Sequence, residues 1–148
     1  MAGDLLFEIG PEELPWGAVQ EGREQLRENA EAVLRRERLN CGELLIYSTP
    51  RRLTLYIRDL VDKQEDAETE VRGPASQAAY DDKGKPTRAA EGFARSKGVK
   101  IDELEVRETE KGEFVFAVVR EKGRPALEVL PGILDELIRS FSFRKSMR

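Results

Sequence analysis

The stretch that decides the fold is LLIYSTPRRLTLYIRDL, residues 44–60. In its second half, apolar residues alternate with polar or amphipathic ones, and a period of two is typical of a strand with one buried face. The buried side of that strand is predicted to hold Leu53, Leu55 and Ile57. Residues 48–52 include a proline and predict either a bulged connection or the turn of an antiparallel hairpin. We therefore expect neighbouring strands over residues 44–48 and 53–60.

Upstream of this pair, residues 4–9 predict a short strand and residues 15–38 predict an amphipathic helix that covers the sheet. The apolar stripe of the helix comprises Val19, Leu26, Ala30, Val33 and Leu34. We expect Asn40 or Gly42 to adopt the left-handed conformation that ends many helices. These elements make a β-α-β-β lobe over residues 1–62.

A second small lobe of short helices and a β-hairpin is predicted over residues 63–124, after a strongly charged junction. Residues 70–72 predict a short strand. Thr87 is placed to cap a helix that ends at Gly98. The buried stripe of that helix is predicted to be Ala89, Ala90, Phe93 and Ala94. In the hairpin, residues 113–120 are apolar on both faces, which is typical of a central strand.

Residues 125–148 predict an amphipathic helix that leads into the missing remainder of a larger protein, because the chain stops in a basic segment without a helix stop signal. The apolar residues at helical spacing are Leu127, Leu130, Leu134, Leu137, Ile138 and Phe141. The predicted fold class is α+β: a β-α-β-β lobe, a second small lobe, and this final helix.

Composition narrows the classes of function. The 148 residues contain no histidine and one cysteine, which disfavours Ser-His and Cys-His nucleophiles and histidine metal sites. The net charge of −4 makes non-specific phosphate binding weak, although local basic clusters remain. No apolar run approaches a membrane span and no secretory signal is present at the start, so we expect a cytoplasmic protein that does not bind membranes.

Two adjacent arginines in the predicted turn, Arg51 and Arg52, are the most informative charged pair. Guanidinium groups at such a turn can bind phosphates or the carboxylates of a partner. Alternatively, they belong to a solvated loop and pair with Glu12 or Glu13 of the same chain. Gly92 is a second unusual residue, because glycine inside a helix costs about 1 kcal/mol relative to alanine and so implies a packing or binding reason.

Five separated blocks of sequence carry a resemblance to a known family. They are residues 6–15 (LFEIGPEELP), 49–53 (TPRRL), 72–74 (RGP), 86–95 (PTRAAEGFAR) and 145–148 (KSMR). In this order and spacing they resemble the amino-terminal part of the bacterial glycyl-tRNA synthetase beta subunit. The resemblance covers essentially the whole chain, and the family's beta subunit is several times longer.

The resemblance implies a two-subunit enzyme in which the two subunits have different roles. It implies that the alpha subunit holds the catalytic domain, with ATP and magnesium, and that the beta subunit contributes tRNA recognition. The implied partners are the remainder of the beta subunit, the glycyl-tRNA synthetase alpha subunit and tRNA, and no catalytic residue, metal or cofactor is expected within this fragment. The tRNA-contact candidates are Arg51, Arg52, Arg88, Arg95 and Lys97. The alternative is a structural scaffold for beta-subunit folding or alpha-beta assembly without RNA contact.

Overall fold

A computed structural model describes residues 1–144, which form two compact units with separate hydrophobic cores. The first unit joins residues 1–65 to the segment that starts at Gly123, and the second unit is residues 66–122. Each unit contains one three-stranded antiparallel sheet with helices, which confirms the α+β prediction. The final helix, which the sequence analysis set apart as residues 125–148, contributes to the core of the first unit.

The elements are described in chain order. They are β1 (Gly3–Ile9), α1 (Trp16–Arg36), β2 (Leu44–Thr49), β3 (Arg52–Leu60), β4 (Ala67–Ala75), α2 (Ser76–Ala79), α3 (Arg88–Lys97), a 3₁₀ turn (Ile101–Glu103), β5 (Glu105–Thr109), β6 (Gly112–Glu121) and α4 (Ala126–Arg139).

In the first sheet the strand order is β1-β3-β2, and β2 and β3 form the antiparallel hairpin that the sequence left as one alternative. Leu53, Leu55 and Ile57 are each no more than 2% exposed, and they share a core with α1 and α4. The predicted apolar stripe of α1 is also buried. The other face of this sheet exposes Leu6 and Tyr47.

Helix α1 ends differently from the prediction. Neither Asn40 nor Gly42 takes the left-handed conformation; Arg38 does, with φ of 55°. The Leu39 N–H donates to the Leu34 carbonyl oxygen at 2.9 Å, which is the hydrogen bond that closes a Schellman motif. Because Leu39 is buried at 2% exposure, its burial fixes where the chain must turn, even with a side chain at the left-handed position.

In the second sheet the order is β4-β6-β5, so the strand with two apolar faces is central, as predicted. Val115 and Ala117 of β6 are fully buried. Strand β4 extends well beyond the predicted residues 70–72, since a break in register between Arg72 and Ala75 accommodates Pro74 within the strand.

Helix α3 has the predicted end at Gly98, which has a φ of 68°. One detail of the prediction is wrong: Ala89 is exposed, because α3 buries the side that carries Ala90 and Ala94. Thr87 occupies the predicted N-cap position, although its hydroxyl makes no hydrogen bond to α3 and donates instead to the Ala78 carbonyl oxygen at 2.6 Å.

Helix α4 is amphipathic as predicted, but two residues of the predicted apolar stripe are exposed instead of buried. Leu127 is 83% exposed and Ile138 is 50% exposed. The buried residues of α4 are Ala126, Val129, Leu130, Ile133 and Leu137. The helix carries two apolar stripes, and the one that contains Val129 and Ile133 packs into the core of the first unit.

After α4 the chain runs back along α1. Gln25 and Ser142 exchange two hydrogen bonds of 2.7 and 2.8 Å, and Asn29 donates to the Ser140 hydroxyl at 2.9 Å. The guanidinium of Arg144 lies 3.1 Å from the Glu21 carboxylate. The block at residues 145–148, which carried part of the resemblance, lies outside the described residues.

Candidate nucleic-acid interface

The β2-β3 turn presents Arg51 and Arg52 at the surface, and both arginines face carboxylates of the same unit. Arg51 Nη2 lies 3.5 Å from Glu13 Oε2. Arg52 forms an ion pair with Glu8, which lies on the adjacent strand β1. The structure therefore shows the alternative in which these arginines belong to an internally paired loop, with Glu8 as a partner that the sequence analysis did not name.

Backbone contacts hold these carboxylates near the turn. The Leu14 N–H donates to the Pro50 carbonyl oxygen at 2.7 Å, which places Glu13 beside Arg51. Glu8 lies opposite Thr54 in the β1-β3 register, and Thr54 is two residues from Arg52 along β3. The sequence held one usable signal for the second pair: Glu8 lies within the predicted strand of residues 4–9, and only the pairing of β1 with β3 was unknown.

Helix α3 holds the other three predicted contact residues, Arg88, Arg95 and Lys97, and all are exposed. Arg88 and Arg95 are seven residues apart, so they lie on one side of the helix, whereas Lys97 projects from the opposite side near the helix end. Among residues 1–144, no carboxylate lies within ion-pair distance of any of these three side chains.

Gly92 lies between the two arginines on the solvent side of α3. A Cβ atom built at Gly92 would meet nothing within 4 Å, so the described residues give no packing reason for glycine there. Gly92 therefore leaves a gap between the side chains of Arg88 and Arg95, which have no carboxylate partner among residues 1–144. We call Arg88, Gly92 and Arg95 the α3 arginine face.

An open groove of about 760 Å³ runs beside α3. Its charged residues are Arg95, Lys100, Glu91 and Asp102. Two cations and two carboxylates leave the groove without net charge, so it is less suited to a polyanion than the arginine face itself.

Two carboxylates near the start of the chain, Glu8 and Glu13, are used in ion pairs, each with an arginine. Within residues 1–144 no group of three or more cysteine, aspartate or glutamate side chains is arranged to hold a metal ion. Burial raises the pKa of the Cys41 thiol, with a smaller contribution from the charge of Glu31. No helix in the described part of the chain is long and apolar enough to span a membrane.

Together, the fold and its surface define a two-unit α+β protein whose distinctive chemistry lies in exposed arginines. Comparison with known proteins gives the family. The sequence model of the family described as "Glycyl-tRNA synthetase beta subunit" matches residues 5–148. The chain belongs to the glycyl-tRNA synthetase beta subunit family, which confirms the resemblance found in the sequence.

Individual relatives agree with this assignment. The chain is 47% identical over 148 residues to the glycine–tRNA ligase beta subunit of Moorella thermoacetica, covering all of this chain and 21% of the relative. It is 49% identical over 145 residues to that of Anaeromyxobacter dehalogenans, covering 98% of this chain and 21% of the relative. The chain thus spans about a fifth of the length of the curated relatives it matches.

Proposed function

We propose that this chain is the amino-terminal accessory portion of the beta subunit of a two-subunit glycine–tRNA ligase, and that it helps to position tRNA without catalysing a step itself. The parent complex forms glycyl-tRNA from glycine, ATP and tRNA in the cytoplasm. ATP and magnesium are used on the alpha subunit. The partners of this chain are the rest of the beta subunit, the alpha subunit and tRNA. Family membership supports this proposal.

The observation that carries the tRNA role is the unpaired state of the α3 arginine face within the described residues. A guanidinium without a carboxylate partner can bind a phosphate without first breaking an ion pair. Arg88 and Arg95 are therefore the primary phosphate contacts. Arg51 and Arg52 are secondary, because each must leave a carboxylate to bind RNA, although exposed ion pairs of this kind are weak.

A second candidate function, a scaffold for subunit folding or assembly, is favoured by the outer face of the first sheet. Leu6 is 67% exposed and Tyr47 is 56% exposed on that face. Apolar surface of this kind is typical of protein contacts rather than of phosphate binding. In this alternative the arginines serve solubility and local pairing only.

A salt series separates the two functions. Binding of glycine-specific tRNA to the alpha-beta complex is measured for the wild type, R88A/R95A, R51A/R52A and the control K111A, with an unrelated tRNA as a second control. We expect R88A/R95A to weaken binding most and to reduce the salt slope by about two, since each phosphate contact contributes about one. Unchanged affinity and slope in R88A/R95A would reject the tRNA role. Loss of subunit association in L6E/Y47E with intact tRNA affinity would support the scaffold.

A further inference from the structure

Helix α4 carries a second apolar stripe beside the stripe that is buried in its core. The stripe consists of Leu127, Pro131, Leu134 and Ile138, at spacings of four, three and four residues. Leu127 is 83% exposed and Ile138 is 50% exposed, Pro131 is exposed, and Leu134 is half-buried at the edge of the core. We call these four residues the α4 seam.

The spacing of the seam is the one that two packed helices use. Alternating steps of three and four residues keep apolar side chains in line along one side of a helix, where they fit between the side chains of a partner helix. The adjacent side of α4 is buried against the rest of its unit, so apolar residues cover two neighbouring sides of this helix. An apolar surface this wide is typical of a helix that packs against more than one neighbour.

The charges beside the seam need no partner. Glu128 lies 3.7 Å from Arg124, and Asp135 accepts a hydrogen bond of 2.8 Å from Arg139. These pairs are formed within the helix and with a residue just before it. The docking partner therefore has to supply apolar side chains and does not have to neutralise a charged edge.

We propose that the α4 seam docks an amphipathic helix supplied by the rest of the beta-subunit polypeptide, an inference that rests on the assignment of this chain to a longer beta subunit. The relatives are about five times as long as this chain, which covers 21% of each, so most of such a polypeptide lies outside the structure. The seam is too small for a separate chain: it offers on the order of a few hundred Å², against roughly 800 Å² per partner in a stable complex. A tethered helix binds at a high effective concentration and needs less area.

Cysteine labelling tests the proposal directly. L127C and I138C are made singly in a C41S background, together with the control K111C in the β5-β6 turn, and each is labelled with a maleimide under reducing conditions. The labelling rates are compared between the 148-residue chain and the complete beta subunit. We expect L127C and I138C to react rapidly in the short chain and at least about tenfold more slowly in the complete subunit, relative to K111C. Equal relative rates in the two proteins would overturn the proposal.

Sedimentation of the 148-residue chain tests whether a second copy of this chain occupies the seam. A concentration-dependent dimer that is lost in L127E would assign the seam to a second copy and overturn the proposal, whereas a monomer supports a tethered partner. The tRNA-binding measurements test the proposed function separately from the docked helix. Protection of both cysteines with no tRNA effect of R88A/R95A would reject only the tRNA role, and reactive cysteines with a clear tRNA effect would reject only the docked helix.

Discussion

Arg36 and Glu136 are joined by two hydrogen bonds, of 2.9 and 2.6 Å, although 100 positions separate them in the sequence. The planar guanidinium contacts both carboxylate oxygens. The pair therefore attracts α1 and α4 to each other and also constrains their relative orientation. The guanidinium lowers the pKa of Glu136, and the carboxylate raises the pKa of Arg36. This ion pair connects the last helix to the first within one unit.

The first prediction concerns acid stability. The pKa of Glu136 in the folded protein lies below its ordinary value of 4.5. The pair therefore stabilises the fold fully above that value, and its contribution is lost as the pH falls through the folded pKa. We expect the urea midpoint of the wild type to fall more steeply than that of E136Q as the pH drops below about 5. Both groups are exposed, so high salt should shrink the difference.

A matched variant, E128Q, controls for the loss of a carboxylate from the same helix, since Glu128 makes a single contact at 3.7 Å. Identical pH profiles for E136Q and the wild type would show that the two-bond pair does not contribute to stability in solution.

The sequence predicts local patterns well because periodicity is a local property. The alternation around Leu55 and the stripe of α1 identified buried faces that the structure confirms. Helix α4 shows the limit. Its two apolar stripes have the same period, and only packing within the first unit decides that Ile133 is buried while Leu127 is exposed.

For the candidate site the limit is different. The sequence proposes five basic residues as contacts, but it cannot say which of them are paired with carboxylates, because ion pairs depend on strand register and loop position. The Arg52–Glu8 pair follows from the pairing of β1 with β3, whereas among residues 1–144 no carboxylate lies within ion-pair distance of Arg88.

A second prediction concerns Gly73, in the RGP block of β4. A Cβ atom there would lie 2.6 Å from Cε1 of the Phe93 ring, closer than any real contact. We expect Gly73→Ala to destabilise the second unit by about 1–3 kcal/mol, the usual cost of overpacking. Hydrogen exchange of the β6 amides measures this unit separately. Gly92→Ala is the control, and it should stabilise α3 by up to about 1 kcal/mol, since nothing opposes a methyl group there.

A third prediction compares the two faces of the first sheet. Leu55 is 1% exposed at the centre of the core, so Leu55→Ala should cost about 2–5 kcal/mol in the free energy of unfolding. Leu6 is 67% exposed on the opposite face, and Leu6→Ala should change stability by no more than about 0.5 kcal/mol. Urea unfolding followed by circular dichroism makes the comparison. A large loss in Leu6→Ala would mean that this face is covered in solution.

The last prediction tests the α3 arginine face without removing a charge. Gly92 has open space around it and lies between Arg88 and Arg95, so Gly92→Leu should leave the fold intact while filling the gap between the two arginine side chains. If tRNA approaches there, the leucine holds the phosphates away from both arginines. We then expect affinity for glycine-specific tRNA to fall at least about tenfold in the alpha-beta complex, since about 1.4 kcal/mol of lost contact is sufficient.

Two measurements make this result specific. Gly92→Ala adds a smaller group at the same position and should reduce affinity less than Gly92→Leu, which gives a graded steric series. Urea unfolding of both variants must show stability equal to or above that of the wild type, because leucine and alanine are better helix formers than glycine. Unchanged tRNA affinity in a stably folded Gly92→Leu complex would mean that this side of α3 does not face RNA.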